Sequence, residues 1–281
     1  MSKYYYLIAG LPELSLEDNK LNYTMASFRE ELYPELSKND REIVDLLYLK
    51  FDNKNLLILL KDKSAELLQL GLYTKNELLS LIDTVKFGEE KAKGYVPYLI
   101  TFLDNYFAEK YEDQVLLEDV LTGMYYEYAT QSSNEFVKSW FEYNQIINNL
   151  LIALAGRKHQ IKYQDHILGS DSISKQIRNS SARDFGLSTV LDYLNSLIRL
   201  SDEEDLVQRE KRIDQMRWKW MEENTFFNYF TIERIFVFLL QVEMIERWLS
   251  LDKDEGNKYF REIISSLQNE VQIPAEFRQN K

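Results

Sequence analysis

Glycine and proline interrupt regular backbone structure, and the chain has only nine and four of them in 281 residues. Long uninterrupted segments favour helices over many short strands, because the turns between strands usually call for one of these two residues. Within the segments, apolar side chains recur at helical spacing, as at Leu78, Leu81, Ile82 and Val85. The sequence therefore predicts an all-α protein with more than about 60% helix, against roughly a third in an average globular protein.

Capping and turn residues set the expected limits of the helices. Thr74 and Glu77 have the spacing of a capping box. Asn39 or Asp40 is the expected N-cap of an early long helix, and Gly156 is the expected end of a later one. The predicted helices cover 40–60, 77–86, 97–110, 116–130, 134–157, 188–200, 202–224, 231–251 and 255–271.

The segment 4–11 is the one place where a strand competes with a helix. Tyr4, Tyr5 and Tyr6 favour β structure. The spacing of the aliphatic residues that follow also fits a helix. We expect a helix, because a lone strand in so helical a chain would have no sheet to join.

Composition and motifs exclude several functions. With 34 Lys and Arg against 46 Asp and Glu, the net charge is −12, which makes a nucleic acid a poor partner. The chain has no cysteine, and its two histidines lack the partners of a zinc or di-iron site. It contains no Walker loop, GxGxxG or GxSxG motif. We therefore expect no catalytic residue, no cofactor and no metal.

The sequence predicts no membrane insertion. The most apolar long segment, 231–251, carries charged residues that a bilayer would penalise, among them Glu233, Arg234, Glu243 and Arg247. The N-terminus lacks the pattern of a secretory signal. We expect a cytoplasmic protein.

A basic island stands out in this acidic chain. The segment 157–183 contains six basic and two acidic residues, so the rest of the chain is more acidic than the whole. Such an island suits docking to an acidic partner, and a solvated linker is the alternative. The basic residues of the island are Arg157, Lys158, Lys162, Lys175, Arg178 and Arg183.

An internal repeat is the strongest pattern in the sequence. Residues 48–63 and 140–158 both run from an aromatic residue and an acid to Asn-Leu-Leu-Ile-x-Leu and then a basic residue, with the asparagines at Asn55 and Asn149. The acid precedes the asparagine by three residues in the first copy, at Asp52, and by seven in the second. A looser third echo, 236–248, contains Glu243. The alternative is coincidence among leucine-rich amphipathic helices.

At these residues the chain resembles the C subunit of V-type ATPases, which is called the d subunit in eukaryotes. Phe51-Asp52-Asn53-Lys54-Asn55-Leu56 is similar to the recurring helix of that family, and the helix with Glu243 and Arg247 is similar to its C-terminal helix. The opening 4–11 is similar to its aromatic start. The whole chain also resembles an uncharacterised bacterial family encoded among V-type ATPase subunits.

The resemblance implies one all-helical unit, 1–281, whose three pseudo-repeated bundles, 1–95, 96–200 and 201–281, form a funnel-like body. It implies a non-catalytic protein that binds the central stalk and the rotor ring, on the cytoplasmic side of the inner membrane through the complex. Asp52, Asn55, Asn149 and Glu243 would then line the funnel or join its helices. The alternatives are a cytoplasmic scaffold or regulatory protein and, less favoured, an enzyme without a recognisable motif.

Overall fold

The computed structural model describes residues 4–88, 92–112 and 116–251. The protein is all-α, and about 66% of the described residues are helical. The α-helices are α1 (Tyr5–Ala9), α2 (Met25–Glu31), α3 (Lys38–Lys61), α4 (Lys75–Phe87), α5 (Pro97–Phe107), α6 (Leu117–Ala129), α7 (Glu135–His159), α8 (Ser172–Asn179), α9 (Leu194–Ser201), α10 (Leu206–Thr225) and α11 (Ile232–Ser250). Two short 3-10 helices cover Tyr33–Glu35 and Gln164–His166.

Side-chain caps fix the starts of several helices. The Thr74 hydroxyl accepts the N–H of Glu77, and the Glu77 carboxylate accepts the N–H of Thr74, so the predicted capping box is confirmed. The carbonyl of the Asn134 side chain accepts the N–H of Val137 at the start of α7. These bonds satisfy backbone donors that the first helical turn leaves free.

The long helices α3, α7 and α11 form the centre of the molecule. α3 packs on α4, α6 and α11, while α7 packs on α6, α8, α9, α10 and α11. α11 therefore touches both other long helices, and eleven of its nineteen residues are buried. One continuous cluster of buried apolar side chains runs from Tyr4 to Ile245. The division into three bundles that form a funnel stays a prediction.

Several predicted boundaries are wrong for local reasons. α7 continues through Gly156 to His159 and ends at Gln160, which adopts the left-handed conformation. Gly156 is a close packing position, since the Tyr163 side chain leaves no room for a Cβ atom there. α3 begins at Lys38, since Ser37 rather than Asn39 or Asp40 is its N-cap. The helix predicted at 188–200 begins only at Leu194, after a series of turns.

The remaining predictions differ in outcome. The segment 4–11 forms the short helix α1, as expected. Two helices, α2 and α8, lie where none was predicted. The helix predicted at 255–271 lies outside the described residues. In the part of the chain that the structure describes, no helix combines the length and apolar character needed to cross a bilayer.

Candidate functional site

The first asparagine of the repeat holds the chain that follows its own helix. The Asn55 side chain donates to the carbonyl oxygen of Leu68 at 2.9 Å and accepts the N–H of the same residue at 2.8 Å. One buried amide thus satisfies both backbone groups of a leucine that has no helical partner for them. We call this arrangement the first clamp.

Asp52, the aspartate of the first repeat, lies about one turn before Asn55 on α3 and also binds the backbone of the following loop. The fully buried Asp52 carboxylate accepts the N–H groups of Leu72 at 2.8 Å and Tyr73 at 3.0 Å. Burial raises the pKa of Asp52 to about 6, although the two N–H donors act in the opposite direction. A Cβ atom on Gly71 would lie 2.5 Å from a carboxylate oxygen of Asp52, so the turn needs glycine. Asp52 therefore positions backbone and lines neither of the cavities described below.

The second asparagine makes the same pair of hydrogen bonds. Asn149 donates to the carbonyl oxygen of Leu168 at 2.8 Å and accepts the N–H of Leu168 at 2.8 Å. Gly169, at φ +85°, follows the clamped leucine, and a Cβ atom there would lie 2.2 Å from the Gln145 amide nitrogen. We call this arrangement the second clamp.

The two clamps share their surroundings. An arginine binds carbonyl groups of each clamped loop: Arg29 donates to Gly71 at 2.6 Å, and Arg178 donates to Ile167 at 2.6 Å and to Gly169. Each loop then leads into a helix with a side-chain N-cap, α4 after the first clamp and α8 after the second. The sequence repeat at Asn55 and Asn149 therefore corresponds to a structural one, in which a long helix holds a loop that starts the next helix.

Glu243 has a different role from the two asparagines. It forms an ion pair with Lys50, which joins α11 to α3, and each side chain is about 30% exposed. The segment that would follow α11 in a third unit lies outside the described residues. Glu243 thus forms a contact between two helices, and its role in a funnel stays a prediction.

The Lys50–Glu243 pair lines a cavity of about 210 Å³ where α3, α7 and α11 meet with α6 and α10. Asp214, whose side chain is 1% exposed, lies on the same cavity and accepts hydrogen bonds from Arg217, Arg247 and the Trp248 indole. Arg217 also donates to the Asn148 side chain on α7 at 2.8 Å. We call Lys50, Asp214, Arg217, Glu243 and Arg247 the charge cluster.

Sequence reasoning missed most of the charge cluster. Asp214 and Arg217 belong to a helix with many charged residues, a pattern typical of a solvated face. Only burial distinguishes them from their neighbours, and burial depends on how α10 lies against α7 and α11. Glu243 was marked by the third copy of the repeat and by the resemblance to the V-type ATPase family, and Arg247 by that resemblance.

A much larger groove, of about 1290 Å³, runs between α6, α7 and the segment 162–173. Six carboxylates and two lysines line it, together with apolar side chains. His166 bridges its walls, since the ring Nδ1 lies 2.7 Å from the Asp119 carboxylate on α6. We call this feature the acidic groove; the second clamp forms part of its wall.

The structure divides the basic island into two kinds of residue. Arg157 donates to the carbonyl groups of Ser180 and Ala182, both at 2.6 Å, and stacks on Phe185. Arg178 holds the second clamp, as described above. The other four side chains, on the surface, are Lys158, Lys162, Lys175 and Arg183. Of these, Lys162 pairs with the exposed Asp165 at 2.6 Å.

No group of three or more His, Asp or Glu side chains suited to a metal ion occurs in residues 4–88, 92–112 and 116–251. The most buried carboxylates, Asp52 and Asp214, are both occupied by donors of the protein itself.

Comparison with known families gives one match. Residues 1–271 match the family described as "Protein of unknown function (DUF2764)". No curated protein matches the chain. No solved structure matches it either.

Proposed function

We propose that this chain, which belongs to the DUF2764 family, is a non-catalytic subunit that couples the central stalk of a V-type rotary ATPase to its membrane rotor ring. The observation that carries the proposal is the pair of clamps. The sequence repeat that underlies the resemblance to the V-type ATPase family coincides with two similar arrangements of long helix, held loop and capped helix.

A coupling protein has to transmit force without deforming, and two features suit that task. The clamps fix loops through buried side-chain amides, which are costly to release because each would leave a leucine peptide unsatisfied. The charge cluster ties α3 to α11 and α10 to both α7 and α11. Together they connect the long helices into one body.

The acidic surface supports the choice of partner. A net charge of −12 would complement a basic end of the stalk, and complementary charge speeds association. The proposed location is the cytoplasmic side of the inner membrane, where the protein would be held by the complex.

The alternatives have weaker support. A carboxylate of raised pKa in a deep pocket would favour an enzyme. Asp52 has a raised pKa, but its oxygens accept the Leu72 and Tyr73 N–H groups, and it lines neither of the two cavities described above. A scaffold or regulatory role remains compatible with the same helical body, and the partner distinguishes it from the coupling role.

The test is a pull-down of the tagged full-length protein from its native host. We expect the stalk and ring subunits of the rotary ATPase to be recovered, and no ATP binding or hydrolysis by the protein alone. Recovery of intact protein repeatedly without those subunits would overturn the proposal.

The same assay tests the basic island. Charge reversal at the exposed Lys175 and Arg183 should slow association and reduce its dependence on salt. Reversal of Lys38 and Lys54, which are exposed on α3, is the matched control. If both double variants behave alike, the island is not the docking contact, and the coupling role is unaffected.

A further inference from the structure

The acidic groove is distinct from the charge cluster and is too large for an ordinary small ligand. Its volume of about 1290 Å³ exceeds the range of roughly 300–1,000 Å³ that is typical of small-molecule sites. A groove of this size between helices suits a segment of polypeptide.

One wall of the groove is an apolar stripe. Leu116 is the N-cap of α6, and Val120 and Met124 follow it at four-residue spacing within the helix, so the three side chains lie in a row. Ile146 of α7 and Ile173 of α8 face the same groove. Leu116 is 54% exposed, which leaves a large apolar side chain in water. Such a stripe favours a partner with its own apolar face.

The charged residues of the groove are mostly acidic. Glu112, Glu127 and Glu142 line it and are exposed, and none of them forms an ion pair with a described residue. The Asp119 carboxylate adds to them beside His166. An apolar floor with carboxylates along it complements a surface that is apolar in the middle and basic at the sides.

The backbone of the groove wall is already used. The N–H and carbonyl groups of Leu168 are bound by Asn149, and the carbonyl groups of Ile167 and Gly169 are bound by Arg178. An extended peptide gains affinity from free backbone groups, and these four groups of residues 167–169 already have partners within the protein. An amphipathic helix needs side-chain contacts alone, so it fits better.

We propose that the acidic groove binds a basic amphipathic helix of a partner protein. The apolar face of that helix lies along Leu116, Val120 and Met124, and its Lys or Arg side chains pair with Glu127 and Glu142. The second clamp keeps the wall in place before the partner arrives, which reduces the ordering cost of binding. This inference does not depend on the rotary ATPase proposal.

The experiment uses the full-length protein and a fluorescein-labelled 18-residue peptide of Leu and Lys, with the leucines at helical spacing. Fluorescence anisotropy measures its binding at low and high salt. We expect the peptide to bind at least about tenfold more tightly than a scrambled peptide of equal composition, and to lose affinity as salt rises.

Two variants locate the site. Glu127→Lys with Glu142→Lys should weaken binding about tenfold, while the control, Glu30→Lys with Glu66→Lys, changes the charge equally at exposed glutamates elsewhere and should shift affinity less than about twofold. Met124→Gln should weaken binding without altering the salt dependence. Circular dichroism and thermal melting establish that each variant is folded.

Three results would overturn the proposal. The first is equal binding of the ordered and scrambled peptides, and the second is equal loss in the groove and control variants, since both indicate attraction to an acidic protein in general. The third is a wild-type dimer that the groove variant converts to monomer, because a second copy would then fill the groove.

Discussion

Two opposing effects act on the charge of the Asp52 carboxylate. It lies in the interior with no solvent exposure, which disfavours its charge, yet the N–H groups of Leu72 and Tyr73 favour that charge. Burial dominates and raises the pKa from 3.8 to about 6. The position suits a residue that holds a turn rather than one that exchanges protons with a substrate.

The raised pKa predicts a pH-dependent contribution of Asp52 to stability. The folded protein binds this proton more tightly than the unfolded chain, so the contribution is complete below about pH 4 and is lost as pH rises through about 6. The pKa difference corresponds to about 3 kcal/mol. Asp52→Asn removes the titration. Urea unfolding from pH 4 to 8 should therefore show the free-energy difference between wild type and variant fall by about 2 kcal/mol up to pH 7, because part of the change lies below pH 4.

The variant itself provides the reference in that measurement, because all other titrating groups are common to both proteins. A difference that stays constant from pH 4 to 8 would show that Asp52 titrates normally in the folded state. The sequence marked Asp52 through the repeat, but its pKa follows from burial, which only the packed structure reveals.

At the scale of secondary-structure elements, we expect the two clamps to contribute similarly to stability. Asn55→Ala and Asn149→Ala each remove the two hydrogen bonds to a leucine peptide and leave that peptide without partners, and Asn149→Ala also removes a bond to the Ser174 hydroxyl. Each substitution should therefore lower the free energy of unfolding by about 2–4 kcal/mol. Asn39→Ala, at an exposed position of α3, should change it by less than about 0.5 kcal/mol. Urea unfolding measures all three.

Hydrogen exchange adds a local test of the clamps. The amide protons of Leu68 and Leu168 should lose protection in the corresponding variant and keep it in the other. Small and equal losses of stability in Asn55→Ala, Asn149→Ala and Asn39→Ala would mean that packing alone holds the clamped loops. The repeated hydrogen bonds would then contribute nothing measurable to stability.

Helices with clear local signals were predictable, whereas α2, α8 and several helix boundaries beside the loops were not. α4, α6 and α11 match the predictions to within one or two residues, because caps and apolar spacing are local signals. α8 lies in a Ser- and Asn-rich segment whose local signal is weak; Asp171 caps it, and Arg178 and Asn149 hold the loop before it. The Asn149 and Arg178 contacts join residues 19 and 11 positions apart, so helical periodicity does not show them.

The same limit applies to the basic island. Its charge was visible in the sequence, but the guanidinium groups of Arg157 and Arg178 donate hydrogen bonds to backbone carbonyl groups of the protein. Charge counting treats all six residues alike, whereas the structure separates two that hold loops from four that lie on the surface.

At the scale of the whole molecule, the charge cluster joins helices that are far apart in the chain. Lys50 and Glu243 are 193 residues apart, and Asp214 lies between Arg217 on its own helix and Arg247 on α11. α3, α7 and α11 all contribute residues to this cavity, so the proposed three-unit organisation would bring its units together there. A protein that couples stalk to ring would carry load across this point.

The buried half of the cluster should matter more than the half-exposed one. Asp214→Asn removes the charge that faces Arg217 and Arg247, so unfolding should become easier by about 3 kcal/mol. Glu243→Gln breaks a pair in which both side chains are about 30% exposed, and its cost should stay below about 1 kcal/mol. Asp202→Asn, at an exposed position, is the control. We expect urea unfolding to give unequal losses in the free energy of unfolding for Asp214→Asn and Glu243→Gln. Equal losses would show that burial does not determine how much each ion pair stabilises the fold, and that the charge cluster is not what joins the long helices.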